Sequence, residues 1–176
     1  MTLWKTTKSK NVRKGEFLLR TFTELRGMPV VDVEDGSIAG FVSDACFDAN
    51  GSFIGLLINE KGIFRKGRIV PAETICTIGK DGIMVNGRSS LKSMSEFREA
   101  YFLQSHRRIQ YKAVYSTEGE KLGLLADVYF SEQVGTIVAY ELTDGFFADM
   151  MEGKRKLDPP GSLTISKDAI VMDFIH

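Results

Sequence analysis

Few residues in this chain have the types and spacing that catalysis needs. Its two histidines are His106 and His176, so a histidine-based triad or a multi-histidine metal site lacks its other members. Cys46 and Cys76 are the two cysteines, both in apolar strand-like contexts and without metal-type spacing. That setting predicts buried, inert thiols rather than a disulfide or redox pair. No phosphate-cradling glycine loop occurs, and the glycines are spaced as turn residues. The best-placed carboxylates are Asp44 and Asp127, which occupy matching positions in two similar stretches. They suit either a pair of equivalent small-ligand or metal sites, or the satisfaction of backbone donors where a strand bends. Without a base, a nucleophile and oxyanion donors in one cluster, the expectation is a protein that is not an enzyme, with no catalytic, cofactor or metal residues.

Two stretches could instead bind a macromolecule. The loop from Asn59 to Arg68 interleaves Lys61, Arg65, Lys66 and Arg68 with Phe64. Cations beside an aromatic can hold RNA through phosphates and stacking, although a solvated hairpin reads the same way. The stretch from Thr143 to Gly161 carries Phe146, Phe147, Met150 and Met151, followed by Lys154, Arg155 and Lys156. It reads as a helical turn with an apolar side and a basic end. Methionines suit adaptable contact surfaces, and an apolar patch with a charged rim marks a partner site. Burial of the same side chains under a barrel is the structural alternative.

The elements that must position these residues come in two copies. A shift of 83 places Gly36 on Gly119, Gly40 on Gly123, Asp44 on Asp127 and Phe47 on Phe130. It also places Ile54 on Ile137, Gly62 on Gly145 and Phe64 on Phe147. Four residues later, Thr77-Ile78 meets Thr164-Ile165 and Lys80-Asp81 meets Lys167-Asp168. A repeat of this length is one folding unit used twice. Gly36 and Gly119 close tight hairpins, where a positive φ is required. Ala39, Phe41, Ser43, Ala45 and Phe47 alternate along the next strand, as do Leu122, Leu124, Ala126, Val128 and Phe130. Gly40 and Gly123 inside those strands predict a bend or bulge in a coiled sheet. Asn50-Gly51 is a hairpin turn, for which the second copy substitutes Glu132 to Gly135.

The pattern Leu25-Arg-Gly27-x-Pro-Val, then Asp35-Gly36-x-x-x-Gly40-x-x-x-Asp44, the apolar strand Phe53 to Ile58 and Ile69-Val-Pro71-Ala resembles the PRC-barrel family. The resemblance covers nearly all of the first copy and the second as far as Phe147, beyond which Leu157-Asp-Pro-Pro160 departs from it. It implies an all-β protein of two tandem small PRC-type β-barrels joined by a short helical linker. Residues 1–21 form an N-terminal arm and lead-in, 22–87 the first barrel, 88–108 the linker and 109–176 the second barrel. Thr21/Glu24 and Ser93/Glu96 have capping-box spacing, predicting a helical turn before the first strand and a linker helix from about Ser93 to Gln104. Units of about 75 residues are marginal alone, so the two are expected to pack together or to dimerise.

Charge decides little, because 23 basic residues balance 23 acidic ones. No overall field draws the chain to nucleic acid, although residues 1–14 form a locally basic arm around Trp4. The opening residues lack the apolar core of a signal peptide, and no segment approaches a membrane span, so cytoplasmic residence is expected. The family occurs in the cytoplasmic part of the photosynthetic reaction-centre H subunit and in a ribosome-maturation factor, besides free-standing copies. That resemblance implies a non-catalytic cytoplasmic adaptor for a protein partner, with self-association as a further possibility and no membrane insertion. Phe146, Phe147, Met150, Met151, Lys154 and Arg155 are the partner-binding candidates. The alternative is a ribosomal-RNA or ribosome-associated module using Lys61, Phe64, Arg65, Lys66 and Arg68. A small-ligand or metal-binding protein is the second alternative.

Overall fold

A computed structural model describes residues 19–60, 67–131 and 136–174. The chain opens with β1 (Leu19–Thr21) and one helical turn, α1 (Phe22–Leu25). Thr21 and Glu24 make the expected capping box, each side chain accepting from the other's backbone N–H. The first unit follows with β2 (Pro29–Asp32), β3 (Ile38–Phe47), β4 (Phe53–Asn59), β5 (Arg68–Pro71), β6 (Ile75–Ile78) and β7 (Ile83–Val85), then β8 (Lys92–Ser93) and β9 (Tyr101–Phe102). The second contains β10 (Ala113–Ser116), β11 (Lys121–Ser131), β12 (Ile137–Thr143), α2 (Phe146–Glu152), β13 (Arg155–Leu157), β14 (Ser162–Ile165) and β15 (Ala169–Asp173). The protein is all-β in two repeats, each a curled sheet.

The two sheets share one plan. In the first the strand order is β6-β7-β2-β3-β4-β5-β8, and in the second β13-β12-β11-β10-β15-β14. The final strand of each repeat lies parallel to its opening strand, β7 on β2 and β15 on β10. Strand β13 pairs with β12 as β5 pairs with β4, although the Val-Pro-Ala signature is missing there. Gly36 and Gly119 do turn their hairpins at φ of +71° and +87°. At Gly40 an added Cβ would come within 2.7 Å of the Asn59 carbonyl oxygen, so the neighbouring strand's approach excludes a side chain.

Three expectations change. The long strands do not alternate from end to end, because register shifts interrupt β3 between Val42 and Asp44 and β11 between Leu125 and Asp127. Each bulge inserts a residue and resets the phase. The core side of β3 is therefore Ala39, Val42, Ala45 and Phe47, and that of β11 is Leu122, Leu125, Val128 and Phe130. Phe41 and Ser43 are half-buried. Secondly, residues 93–104 form no α-helix. The Ser93/Glu96 box starts a single 3-10 turn, Met94–Phe97. Ala100, Tyr101, Phe102 and Leu103 are then buried in succession, which suits a strand enclosed on both sides and not a helix with one apolar stripe. Thirdly, Cys76 is exposed on edge strand β6, at a register shift between Ile75 and Thr77; Cys46 is fully buried.

The lead-in segments are exchanged between the repeats. Strand β1 precedes the first unit but pairs antiparallel with β11 of the second, Thr21 opposite Tyr129 and Leu19 opposite Ser131. Strand β9 precedes the second unit and pairs antiparallel with β3 of the first, Cys46 opposite Phe102. Each sheet is thus completed by the segment leading into the other, and the apolar core runs through both units. Phe53 marks the joint. It meets Phe47 and Phe130, which hold equivalent places in the repeats, edge-on at centroid distances of 6.2 and 5.0 Å.

Candidate partner-binding surface

Asp44 and Asp127 do the work of fastening that exchange. Asp127 is 4% exposed, and its carboxylate accepts from the Phe22 and Thr23 backbone N–H groups at 3.1 Å each and from the Thr23 hydroxyl. Asp44 is 1% exposed and accepts from Gln104 N at 3.1 Å and Ser105 N at 2.7 Å. Each also receives the N–H of the next residue in its own strand, Val128 or Ala45, at 2.8 Å. A carboxylate that accepts several backbone donors is committed to structure. One donor to each carboxylate is thus local, at the bulge, and the others come from the other repeat's lead-in. Among the described residues, no three His, Cys, Asp or Glu side chains converge as metal ligands.

The repeats differ most at α2. Gly145 (φ +115°) precedes the helix and Gly153 (φ +77°) ends it, both in conformations that side chains rarely adopt. The Thr143 hydroxyl accepts the Gly145 N–H at 3.0 Å and donates to Asp149 Oδ2, fixing the start of the turn. Met150 and Met151 leave the helix 71% and 86% exposed. The backbone at Phe146 and Phe147 is helical, and their side chains lie outside the description.

The cations beyond the helix are not a bare basic end. Lys154 Nζ lies 3.4 Å from Glu141 Oε2. Arg155 pairs with Asp144 at 3.1 Å and donates to the Leu122 carbonyl. Lys156 sits 4.8 Å above the Tyr129 ring. Lys154 and Arg155 therefore strap β13 to its neighbours, and the apolar methionines carry the free surface.

A cavity of about 270 Å³ opens beside α2, lined by Tyr111, Leu124, Thr143, Gly145, Asp149 and Lys154. Asp149 Oδ1 is buried there without a hydrogen-bond partner among the described residues. Tyr111 has φ of +65° and is 53% exposed. Its N–H donates to the Leu125 carbonyl at 2.6 Å, as Gly27 N–H donates to the Val42 carbonyl at 2.8 Å in the first repeat. The first repeat uses glycine at this left-handed position, whereas the second uses a bulky aromatic at a cost of about 1 kcal/mol or more. Sequence reading missed Tyr111. The signal was present, since Leu25-Arg26-Gly27 aligns with Ile109-Gln110-Tyr111.

Of the RNA-contact candidates, only Arg68 falls among the described residues. Lys61, Phe64, Arg65 and Lys66 lie outside the described residues, as do the basic arm with Trp4 and the loop of residues 132–135. Arg68 is described, and its guanidinium donates to the Leu91 carbonyl at 2.7 Å and the Lys92 carbonyl at 3.3 Å, tying β5 to β8. His106 packs edge-on against Phe102 at 5.8 Å. Among the described residues, no helix is long and apolar enough to cross a membrane.

Comparison with known proteins agrees with this architecture. A PRC-barrel domain model matches the chain twice, at residues 19–92 and 105–176. Both matches begin in a lead-in segment, next to the residues that cross to the other sheet. "Uncharacterized protein YrrD" of Bacillus subtilis (strain 168) is 34% identical over 177 residues, covering 98% of this chain and 99% of that protein.

Proposed function

Because the chain belongs to the PRC-barrel domain family and carries the domain in tandem, we propose that it is a non-catalytic cytoplasmic adaptor whose protein partner docks on α2 and Tyr111. The observation that carries this reading is the exposed Met150–Met151 pair, placed where the second repeat departs from the first. Methionine side chains are flexible and polarisable, and they re-pack against surfaces of varied shape. The strained Tyr111 borders the same cavity as α2 and adds an exposed aromatic anchor. A strained backbone retained at an exposed aromatic is more simply explained by contact than by folding.

A crosslinked pulldown at low and high salt tests the proposal, using the wild-type chain and a Met150→Asp/Met151→Asp variant. A discrete protein that survives high salt and is lost with the variant supports it. Ribosomal RNA or ribosomal proteins recovered only at low salt would shift the assignment to the basic Lys61–Arg68 hairpin. A partner retained equally by the variant would remove α2 from the interface, and recovery of the chain alone would indicate self-association.

A further inference from the structure

At the joint between the repeats lies an open cleft of about 440 Å³ that the adaptor reading does not use. Its walls come from both units: Ser52, Phe53 and Glu73 from the first, Thr136, Ile137 and Tyr140 from the second. It exists because the repeats pack on each other, and junctions between units are favoured places for small-molecule sites. Phe53 is held edge-on by Phe47 and Phe130. The turn before it is fixed where Gly51 (φ +76°) packs against Leu163 and where Ile165 N–H donates to the Ala49 carbonyl at 2.7 Å. The Phe53 wall is therefore held in place before any ligand arrives.

Its chemistry is uneven. Phe53, Ile137 and Tyr140 give an aromatic and aliphatic floor, and Ser52 and Thr136 supply hydroxyls. Burial pushes the Tyr140 hydroxyl up to about 12, so the ring stays neutral at physiological pH. Among the described residues, Glu73 is the one charged member of the lining, exposed at its edge and without a partner. A carboxylate at the rim of a cleft lined by two aromatic rings suits a cation with a flat apolar body, through Coulomb attraction to the charge and stacking of the body on the rings.

We infer that this inter-repeat cleft binds a small organic ammonium compound with an aromatic or branched aliphatic body, its charge directed to Glu73 and its body on Phe53 and Tyr140. Nuclear magnetic resonance titration of the full chain tests this with 2-phenylethylammonium, against neutral 2-phenylethanol and anionic phenylacetate. Saturable shifts at Ser52, Phe53, Thr136, Ile137 and Tyr140 are expected, strongest for the ammonium and weakest for phenylacetate. Glu73→Gln, at an exposed rim position, weakens the ammonium probe about fivefold, the effect of one partly solvated ion pair, and leaves the alcohol unchanged. Ile137→Trp fills the cleft and abolishes all shifts there; if that variant does not fold, Glu73→Gln still decides the charge preference. Shifts scattered elsewhere, or no saturation with any probe, overturn the site. Equal binding of the three probes overturns the ligand class.

Discussion

Replacing Asp127 with alanine should release a segment more than a hundred positions away in sequence. Asp127 lies in β11 of the second repeat, yet its carboxylate holds the Phe22 and Thr23 N–H groups and the Thr23 hydroxyl of the lead-in to the first. Hydrogen bonds to a charged acceptor contribute about 1.5–3 kcal/mol each, and a buried N–H left unpaired costs about 1–3 kcal/mol. Phe22 is fully buried, so its N–H loses its acceptor outright, whereas Thr23 is more exposed and water recovers part of the loss. The net destabilisation should be about 3 kcal/mol, a large share of the 5–15 kcal/mol typical of a domain. Urea unfolding measures the total, and amide hydrogen exchange locates it. Exchange should rise across residues 19–25 first, because β1 pairs over only three residues and cannot hold without the clamp. Thr23→Val removes one donor and should cost about 1 kcal/mol, with a coupling of similar size when combined with Asp127→Ala. The equivalent Asp44→Ala should loosen residues 101–105 and spare 19–25. Destabilisation below about 1 kcal/mol, or loosening of β11 with residues 19–25 still protected, would refute the exchange.

Thiol reagents should distinguish the cysteines. Cys76 reacts in the folded protein, while Cys46 is buried, with its thiol pushed up to about 12 by desolvation and by the Asp44 charge, and reacts only on unfolding. Alkaline stability follows from the same shift. The folded state keeps the protons of Cys46 and Tyr140 up to about 12, whereas the unfolded chain releases them near 9 and 10. Stability should therefore fall as pH rises from 9 to 12, by at most about 1.4 kcal/mol per pH unit for each group, and a flat urea midpoint over that range would contradict it. Tyr111→Gly should relieve the left-handed strain and stabilise the fold by about 0.5–1 kcal/mol while weakening partner capture. Stabilisation with unchanged capture would leave the tyrosine without a binding role.

The repeat made the fold readable. Glycines at 36 and 119 announced the hairpins, and the paired Asp44 and Asp127 announced a shared structural task. The partners of those carboxylates could not be read, because a repeat in sequence is silent on whether a lead-in docks on its own unit or on the other. The linker misled for a related reason. Its capping box at Ser93 and Glu96 is real, but a box starts a turn without setting its length, and Tyr101 and Phe102 pair with β3 as a strand instead of extending that turn into a helix. Periodicity failed along β3 because the bulge near Ser43 shifts the phase within the strand, and an alternating pattern carries no mark of an inserted residue. At the candidate surface, exposure of Met150 and Met151 was one of two openings the residues allowed. Neutralisation of Lys154 and Arg155 by Glu141 and Asp144 depends on strand pairing that the departed Leu157-Asp-Pro-Pro160 stretch did not reveal.

The adaptor reading is tested most directly by a photo-crosslinking residue placed at position 151 in cells, with the same residue at exposed position 80 as the control. The account predicts a discrete protein adduct at 151 that is absent at 80 and is lost when Met150→Asp is added. Equal adducts at both positions, or an adduct at 151 with RNA in place of protein, would contradict it.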